Sequence, residues 1–264
     1  MPLPLLKWPG GKRRLLENII HLIPETFRYY YEPFFGGGAL FFAVLPKYSC
    51  LSDNNPDLIN CYIQIRDNPE KVISYLEKYE NTKESYYRVR EKVPINEIEK
   101  AARIIYLTTL SFNGIYRTNL KGKFNVPYGY KTHLEPCNPI RIREISASLA
   151  PAEIRCCDFE ESVQNASNGD LIYFDPPYTV SHNNNGFCKY NEIIFSWNDQ
   201  IRLARLANKL AKRECKVIIS NAYHDSIKAL YRNFNCRIIE RHSVIAASRK
   251  FRRQISECIF FNEV

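Results

Sequence analysis

Apolar residues along this chain follow two rhythms. Short unbroken runs bounded by turn residues, such as Leu171-Ile172-Tyr173-Phe174, predict buried strands. Charged stretches with apolar residues every three or four positions predict amphipathic helices. Residues 97–110 are of this kind, with Ile98, Ala101, Ala102, Ile105 and Leu110 on one side. Glycine and proline mark three strand ends. Residues 29–32 run into Pro33 and Gly36-Gly37-Gly38, residues 49–52 end at Asp53 before Pro56, and residues 171–174 end at Asp175. Between the first two, residues 39–45 form a short apolar helix. Strand, glycine turn, helix, strand with an acidic end is a βαβ unit of a doubly wound sheet.

From about residue 57 the pattern turns to long charged helices, such as 70–79 and 97–110. A stretch over 111–130 follows, rich in Asn, Gly, Arg, Lys and Tyr. The α/β rhythm resumes near 152–158. It continues with the strand at 171–174, a helix over 198–213, a strand over 216–220, a helix over 225–231, and strands over 236–240 and 256–261. The expectation is one α/β domain in two parts, 1–56 and 140–264, split by a mostly helical insertion over 57–139.

Composition narrows the class. The chain has 264 residues, 45% hydrophobic and 25% charged, the balance of a globular protein. No run approaches the roughly 20 apolar residues that span a bilayer. The first residues lack a charged segment before an apolar core, so no signal peptide is evident and a cytoplasmic location is expected. Lys and Arg number 37 against 28 Asp and Glu, a formal net charge of +9. That balance favours an anionic partner, nucleic acid first, although it equally serves solubility. Nine cysteines form no Cys-x-x-Cys pair, and five histidines complete no zinc pattern. Buried thiols without bridges are expected, and no metal.

The chemistry centres on Asp175-Pro176-Pro177-Tyr178. Two prolines forbid both a continuing strand and an immediate helix, so the chain leaves the sheet in a stiff loop. That edge is where open α/β sheets bind ligands. A carboxylate, rigid carbonyls and a ring suit a flat heterocycle with an amino group; a proline-rich turn with a capping Asp is the plainer reading. Gly36, Gly37 and Gly38 allow close backbone approach to a ligand, or simply a tight turn. Their spacing is neither the dinucleotide nor the Walker pattern. Asp53 is placed to accept from ribose hydroxyls, or to cap the helix near Pro56, a role Asn54 or Asn55 fills equally well. Asp158 is a further edge acid or a cap. Before the first helix, Lys7-Trp8-Pro9-Gly10-Gly11-Lys12 offers a stacking face and two cations, or a flexible arm.

In order along the chain, Lys-Trp-x-Gly-Gly-Lys at 7–12, Glu-Pro-Phe-x-Gly-x-Gly at 32–38, Asp-x-Asn-x-Asp-Leu-Ile at 53–59 and Asp-Pro-Pro-Tyr at 175–178 resemble the Dam-type DNA adenine-N6 methyltransferases. The order, with the insertion between cofactor and catalytic motifs, marks their alpha class. Residues 112–117 and 122–129 look like that family's recognition hairpin. Glu32 replaces the aspartate found in many relatives.

The resemblance implies a Rossmann-like methyltransferase sheet with an inserted target-recognition domain. It implies S-adenosylmethionine as cofactor, held by Trp8, Lys12, Phe34, Gly36, Gly38, Asp53, Asp158 and Phe159. Asp175 would lie between cofactor and target, with Asp175, Pro176 and Tyr178 catalytic. Double-stranded DNA is the implied partner, with the target adenine flipped out. Lys7, Phe112, Asn113, Ile115, Arg117 and Pro127 would read or open it, and Arg249, Lys250 and Arg252 would hold phosphates. The hairpin leans towards GATC, although Tyr130-Lys131-Thr132-His133 departs from the common Arg-Tyr-Lys continuation. A monomer is expected, with a cognate restriction endonuclease as a possible functional partner. The competing readings are cytosine-N4 methylation, methylation of RNA or a protein glutamine, and a catalytically silent DNA-binding protein.

Overall fold

The computed structural model describes residues 4–12, 15–119, 121–180, 195–242 and 254–263. It divides into two compact units, one formed by 1–16 with 35–157 and the other by 17–34 with 158–264.

The first unit carries strands β2 (Ser49–Asp53) and β3 (Ala152–Cys156), paired in parallel so that Asp53 lies opposite Cys156. Between them the chain is helical except for the stretch from 111 to 138. Three of its helices begin with the same two letters: Pro56–Asp67, Pro69–Leu76 and Pro139–Leu149 each follow an asparagine. Proline suits the first helical position, where its missing N–H has no partner to lose. At two of the three the asparagine side chain also accepts from orphan amides, while that of Asn68 does not. Asn55 accepts from the backbone N–H of Asp57 and Leu58 at 3.0 and 3.1 Å, and Asn138 from Arg141 at 3.0 Å. Helix Glu97–Leu110 is capped by Asn96 and presents Ala101, Ala102, Ile105 and Leu110 of the expected face to the interior, while Ile98 in its first turn is only half-buried. It packs on helix Pro56–Asp67. Helix Pro139–Leu149 is absent from the expected elements. Its apolar positions, Ile142, Ile145 and Leu149, are spaced for a helix but diluted by arginines and serines.

The second unit carries β1 (Tyr30–Glu32), β4 (Leu171–Phe174), β5 (Lys216–Ala222), β6 (Asn235–His242) and β7 (Gln254–Phe261), in the order β1-β4-β5-β7-β6. The β1–β4 and β4–β5 pairings are parallel, and those involving β7 are antiparallel. With seven strands, most of the pairings parallel except at the β7 end, the fold is the expected Rossmann-like α/β class. All four residues of β4 are buried, which explains the unbroken apolar run: a strand paired on both edges and covered on both faces has no solvent side. Helix Trp197–Lys212 packs on β5 and opens with a full capping box between Ser196 and Asp199.

No described cysteine is in a disulfide. The expectation of buried thiols needs correction at two positions. Cys156 ends β3 at the sheet margin and Cys236 lies on β6 at the outer edge of its sheet, and both are exposed. Among the described residues no helix is long and apolar enough to cross a membrane, and no cluster of His, Cys, Asp or Glu could hold a metal ion.

Asp170 fixes the start of β4. Its fully buried carboxylate accepts from Arg28 Nε and Nη2, both at 2.9 Å, and from the backbone N–H of Ser167 at 2.9 Å. Replacing Asp170 with Ala leaves the Ser167 amide without this acceptor, and should cost about 1–3 kcal/mol in chemical denaturation. An unchanged midpoint would show that these bonds do not stabilise the strand.

Candidate active site

In the first unit Asp53 and Trp8 stand beside the glycine turn. Gly36 and Gly38 have positive φ, 47° and 66°. A Cβ on Gly38 would stand 2.7 Å from two ring carbons of Phe35 and 2.9 Å from Phe42. Backbone conformation and aromatic packing therefore both require glycine there. Asp53 reaches across from the end of β2: its Oδ2 accepts from Gly36 N at 3.0 Å and its Oδ1 from Asn55 N at 3.0 Å. Burial pushes this carboxyl up from 3.8 to about 6, against the pull of the backbone N–H groups of Gly36, Asn55 and Asn54. The side chain as a whole still keeps partial solvent access. The helix at Pro56 is capped by Asn55, so capping does not account for Asp53.

Lys12 is buried, and its ammonium donates to Gly10 O at 2.7 Å. Trp8 stacks on Tyr116, with ring centroids 4.6 Å apart and planes at 25°. The Tyr116 hydroxyl donates to Asp57 Oδ2 at 3.0 Å. One face of Trp8 thus meets the 111–129 segment rather than standing open.

That segment is a hairpin in outline, without a regular ladder. Isolated bridges join Ser111 to Tyr128 and Thr118 to Phe124. Phe112 N donates to Pro127 O at 2.9 Å, and Asn125 N to Arg117 O at 3.1 Å. Tyr86 anchors it from helix Lys83–Glu91 by donating to Val126 O at 3.0 Å. Phe112 (55% exposed), Asn113, Ile115, Arg117 and Pro127 all face solvent. Arg117 Nε donates to Asn125 Oδ1 at 2.8 Å. Lys7 is exposed and runs beside Gly114, where a Cβ would meet its Cδ at 2.7 Å and the Lys131 ammonium at 3.5 Å. Burial, then the neighbouring Lys7, lowers the Lys131 ammonium to about 8.

In the second unit the Asp175–Tyr178 loop leaves β4. Pro176 is buried, while Asp175 and Tyr178 keep partial exposure. Pro177 O accepts from Gln200 Nε2 at 3.2 Å, and the Tyr178 hydroxyl donates to Glu257 Oε2 at 3.0 Å. Burial, and then the charges of Asp175 and Glu257, hold the Tyr178 phenol well above its ordinary range, so it stays protonated. Phe34 and Phe159 stack at 5.5 Å, with Phe195 and Phe174 set edge-on to Phe34 at 5.4 and 6.3 Å. Asp158 does cap its helix, accepting from Glu160 N at 3.0 Å. The same oxygen accepts from Arg202 Nη2 at 2.9 Å, and that guanidinium lies over the Phe159 ring at 4.8 Å.

Arg249, Lys250 and Arg252 lie outside the described residues. Tyr116, Lys131, Gln200, Arg202 and Glu257 are not among the residues expected from sequence. A glutamate directly before the apolar run 258–261 was a usable signal, because a charge drawn into a buried strand is rare without a partner. Arg202 carried none; it is one of many cations on its helix.

In each unit an acid stands at the C-terminal end of a parallel strand, Asp53 closing β2 and Asp175 after β4, the strand end at which open α/β sheets bind ligands. Residues 8–245 match the model of the D12 class N6 adenine-specific DNA methyltransferases, and the chain belongs to that family. It is 39% identical to the type II methyltransferase M1.LlaDCHI of Lactococcus lactis subsp. cremoris, covering 98% of this chain and 95% of that protein. It is 34% identical to the type II methyltransferase M.MjaIII of Methanocaldococcus jannaschii, covering 98% of each. The DNA adenine methylase of Vibrio cholerae is 32% identical, covering 96% and 94%.

A Gly38→Ala variant should lose about 1–3 kcal/mol of stability from strain and overpacking. Wild-type thermal stability in that variant would mean the turn relaxes, and would return the glycine to a ligand-approach role.

Proposed function

We propose that the chain methylates N6 of adenine in duplex DNA, within GATC, using S-adenosylmethionine. The observation that carries this reading is the Asp175–Tyr178 loop, rigid and partly accessible at the end of a fully buried strand, in a member of an N6-adenine family. GATC rests on the hairpin's likeness and on relatives named DNA adenine methylase.

The residues present suit the proposed cofactor. In the first unit Asp53 would offer a carboxylate for ribose hydroxyls and Lys12 a cation for a carboxylate, with Trp8, Gly36 and Gly38 as further candidates. In the second unit Phe34 and Phe159 would offer apolar faces to adenine and Asp158 an acceptor. S-adenosylmethionine would supply an electrophilic methyl group on sulfur. The chain's task is then positioning and electrostatics, because the N6 lone pair is delocalised into the ring. The Asp175 carboxylate and the Pro176 carbonyl accept the two N6–H bonds and turn the lone pair outward. Tyr178, protonated and held at its hydroxyl, stacks on the base. Once N6 is alkylated its proton becomes acidic, and Asp175 takes it.

N6 is paired inside a duplex, so the base must leave the stack at a cost of about a few kcal/mol. Phe112, Asn113, Ile115 and Pro127 face solvent on the hairpin and are suited to filling or prising the gap. Arg117 and Lys7 are the proposed guanine readers, and the cluster at 249–252 the proposed phosphate contact. Residues 57–139 form the proposed recognition insertion. One flipped base needs one site, so we propose a monomer in the cytoplasm, with a restriction endonuclease as its functional counterpart.

Labelled methyl from S-adenosylmethionine should appear as N6-methyladenine in a duplex with one GATC, and not when that adenine is replaced. Asp175→Ala should abolish transfer while leaving DNA affinity within about threefold, since it removes an interaction made at the reacting nitrogen. Label in random DNA but not GATC would keep the chemistry and reject the site; no label in any DNA would reject the reading.

The Asp53 carboxyl gives a second test. Its folded value lies above its unfolded one, so its ionisation costs the folded chain. That contribution to stability is full below the ordinary carboxylate range and is lost as pH rises through about 6. Cofactor binding needs the ionised form. Affinity measured by calorimetry should be flat above pH 7 and fall about tenfold per pH unit below the carboxyl's value. Asp53→Asn should bind more weakly with no such slope; an identical slope would assign the titration elsewhere.

A further inference from the structure

Two buried polar side chains hold the far half of the Asp175–Tyr178 loop. From helix Trp197–Lys212, Gln200 donates its Nε2 to Pro177 O at 3.2 Å, and its Oε1 accepts from Asn221 Nδ2 at 3.0 Å. Asn221 Oδ1 accepts from Ala222 N at 2.9 Å. The donors therefore run one way, from the backbone of β5 through two amides to the loop carbonyl. From β7, Glu257 accepts the Tyr178 hydroxyl at 3.0 Å. Gln200 and Asn221 are fully buried and Glu257 is 1% exposed. The two tethers share one footing, because Ala222 and Glu257 are paired across β5 and β7.

Stability alone gives little reason for this choice. Apolar residues of similar volume in buried polar positions are often neutral or stabilising. What hydrogen bonds add here is direction. Prolines fix φ at 176 and 177, and Pro177 holds ψ at 176 extended, so ψ at 177 is the torsion left open; the Gln200 bond fixes it through the plane of the Pro177 carbonyl. A tyrosine ring packed in a loop can still turn and tilt, and the Glu257 bond fixes the hydroxyl end of its long axis. We propose that Gln200 and Glu257 are positioning residues for methyl transfer, clamping the Pro177 carbonyl and the Tyr178 hydroxyl so that the Pro176 carbonyl and the Tyr178 ring meet the target base in one orientation. The inference rests on the roles proposed above for Pro176 and Tyr178.

The test is a double-mutant cycle on the full chain, read as kcat and KM with GATC duplex and S-adenosylmethionine, alongside 2-aminopurine fluorescence at the target position and thermal melting. Tyr178→Phe keeps the ring and removes the tether, and thermal melting reads the cost of taking this donor from the buried Glu257 carboxylate. Glu257→Leu removes the other end, and Glu257→Gln keeps an acceptor. If the clamp positions the ring, Tyr178→Phe and Glu257→Leu each lower kcat about tenfold with KM nearly constant, and the double variant is no worse than either alone. Glu257→Gln then recovers most of the rate. Gln200→Met, which keeps the length of the side chain but cannot donate to Pro177, should lose a similar factor. The fluorescence of flipped 2-aminopurine should rise in the untethered variants, as a loosely held ring quenches less.

Additive losses in the double variant, or a wild-type kcat in either Tyr178→Phe or Glu257→Leu, overturn the clamp while the adenine-methylation reading stands. So does a kcat loss in Glu257→Leu that disappears when assayed well below its melting temperature. A wild-type protein that places no label on adenine overturns that reading, and the clamp with it.

Discussion

Complete burial of β4 is the constraint on which the second unit depends. A strand paired on both sides and covered on both faces cannot shift along its axis without breaking both ladders. Its two ends are set by aspartates. Asp170 starts it through Arg28 and the Ser167 amide, and Asp175 ends it where proline forbids further pairing. The Asp175–Tyr178 loop is thus held by the unit's hydrogen-bonded frame, as the proposed positioning role requires.

Most of that frame was legible in the sequence because burial writes itself into composition. Continuous apolar runs gave β4 and β5, and helical spacing gave Glu97–Leu110. Helix Pro139–Leu149 escaped because its three apolar positions stand among charges, although Asn138-Pro139 announced its start. Of the candidate site, the positions at strand ends were legible, because Asp175, Asp53 and the glycine turn each stand where a predicted strand stops. The site was not legible where the partner is ordinary. Nothing in sequence pairs Trp8 with Tyr116, Asp158 with Arg202 or Tyr178 with Glu257, since each pair is far apart in the chain and joined only by folding.

Several residues with two open readings now separate. Asn55 does the capping that Asp53 was a candidate for, so a half-accessible acid with a raised pKa remains over the glycine turn. Asp158 resolves the other way: it is a cap and an ion-pair partner, and any contact with adenine is shared with Arg202. Gly38 is required by φ and by the Phe35 ring, so its identity alone says little about a ligand. A motif residue can therefore owe its place to packing, to chemistry or to both, and only geometry divides the cases.

The Trp8–Tyr116 stack has a thermodynamic consequence. One ring lies in the strip assigned to the cofactor and the other in the hairpin assigned to DNA, within a single unit. A ligand that favours one arrangement of this pair biases the other ligand's affinity by some factor, and linkage makes that factor equal in both directions. The order in which the two substrates arrive then changes the path but not the stability of the ternary complex, and any selectivity from the order of loading must be kinetic.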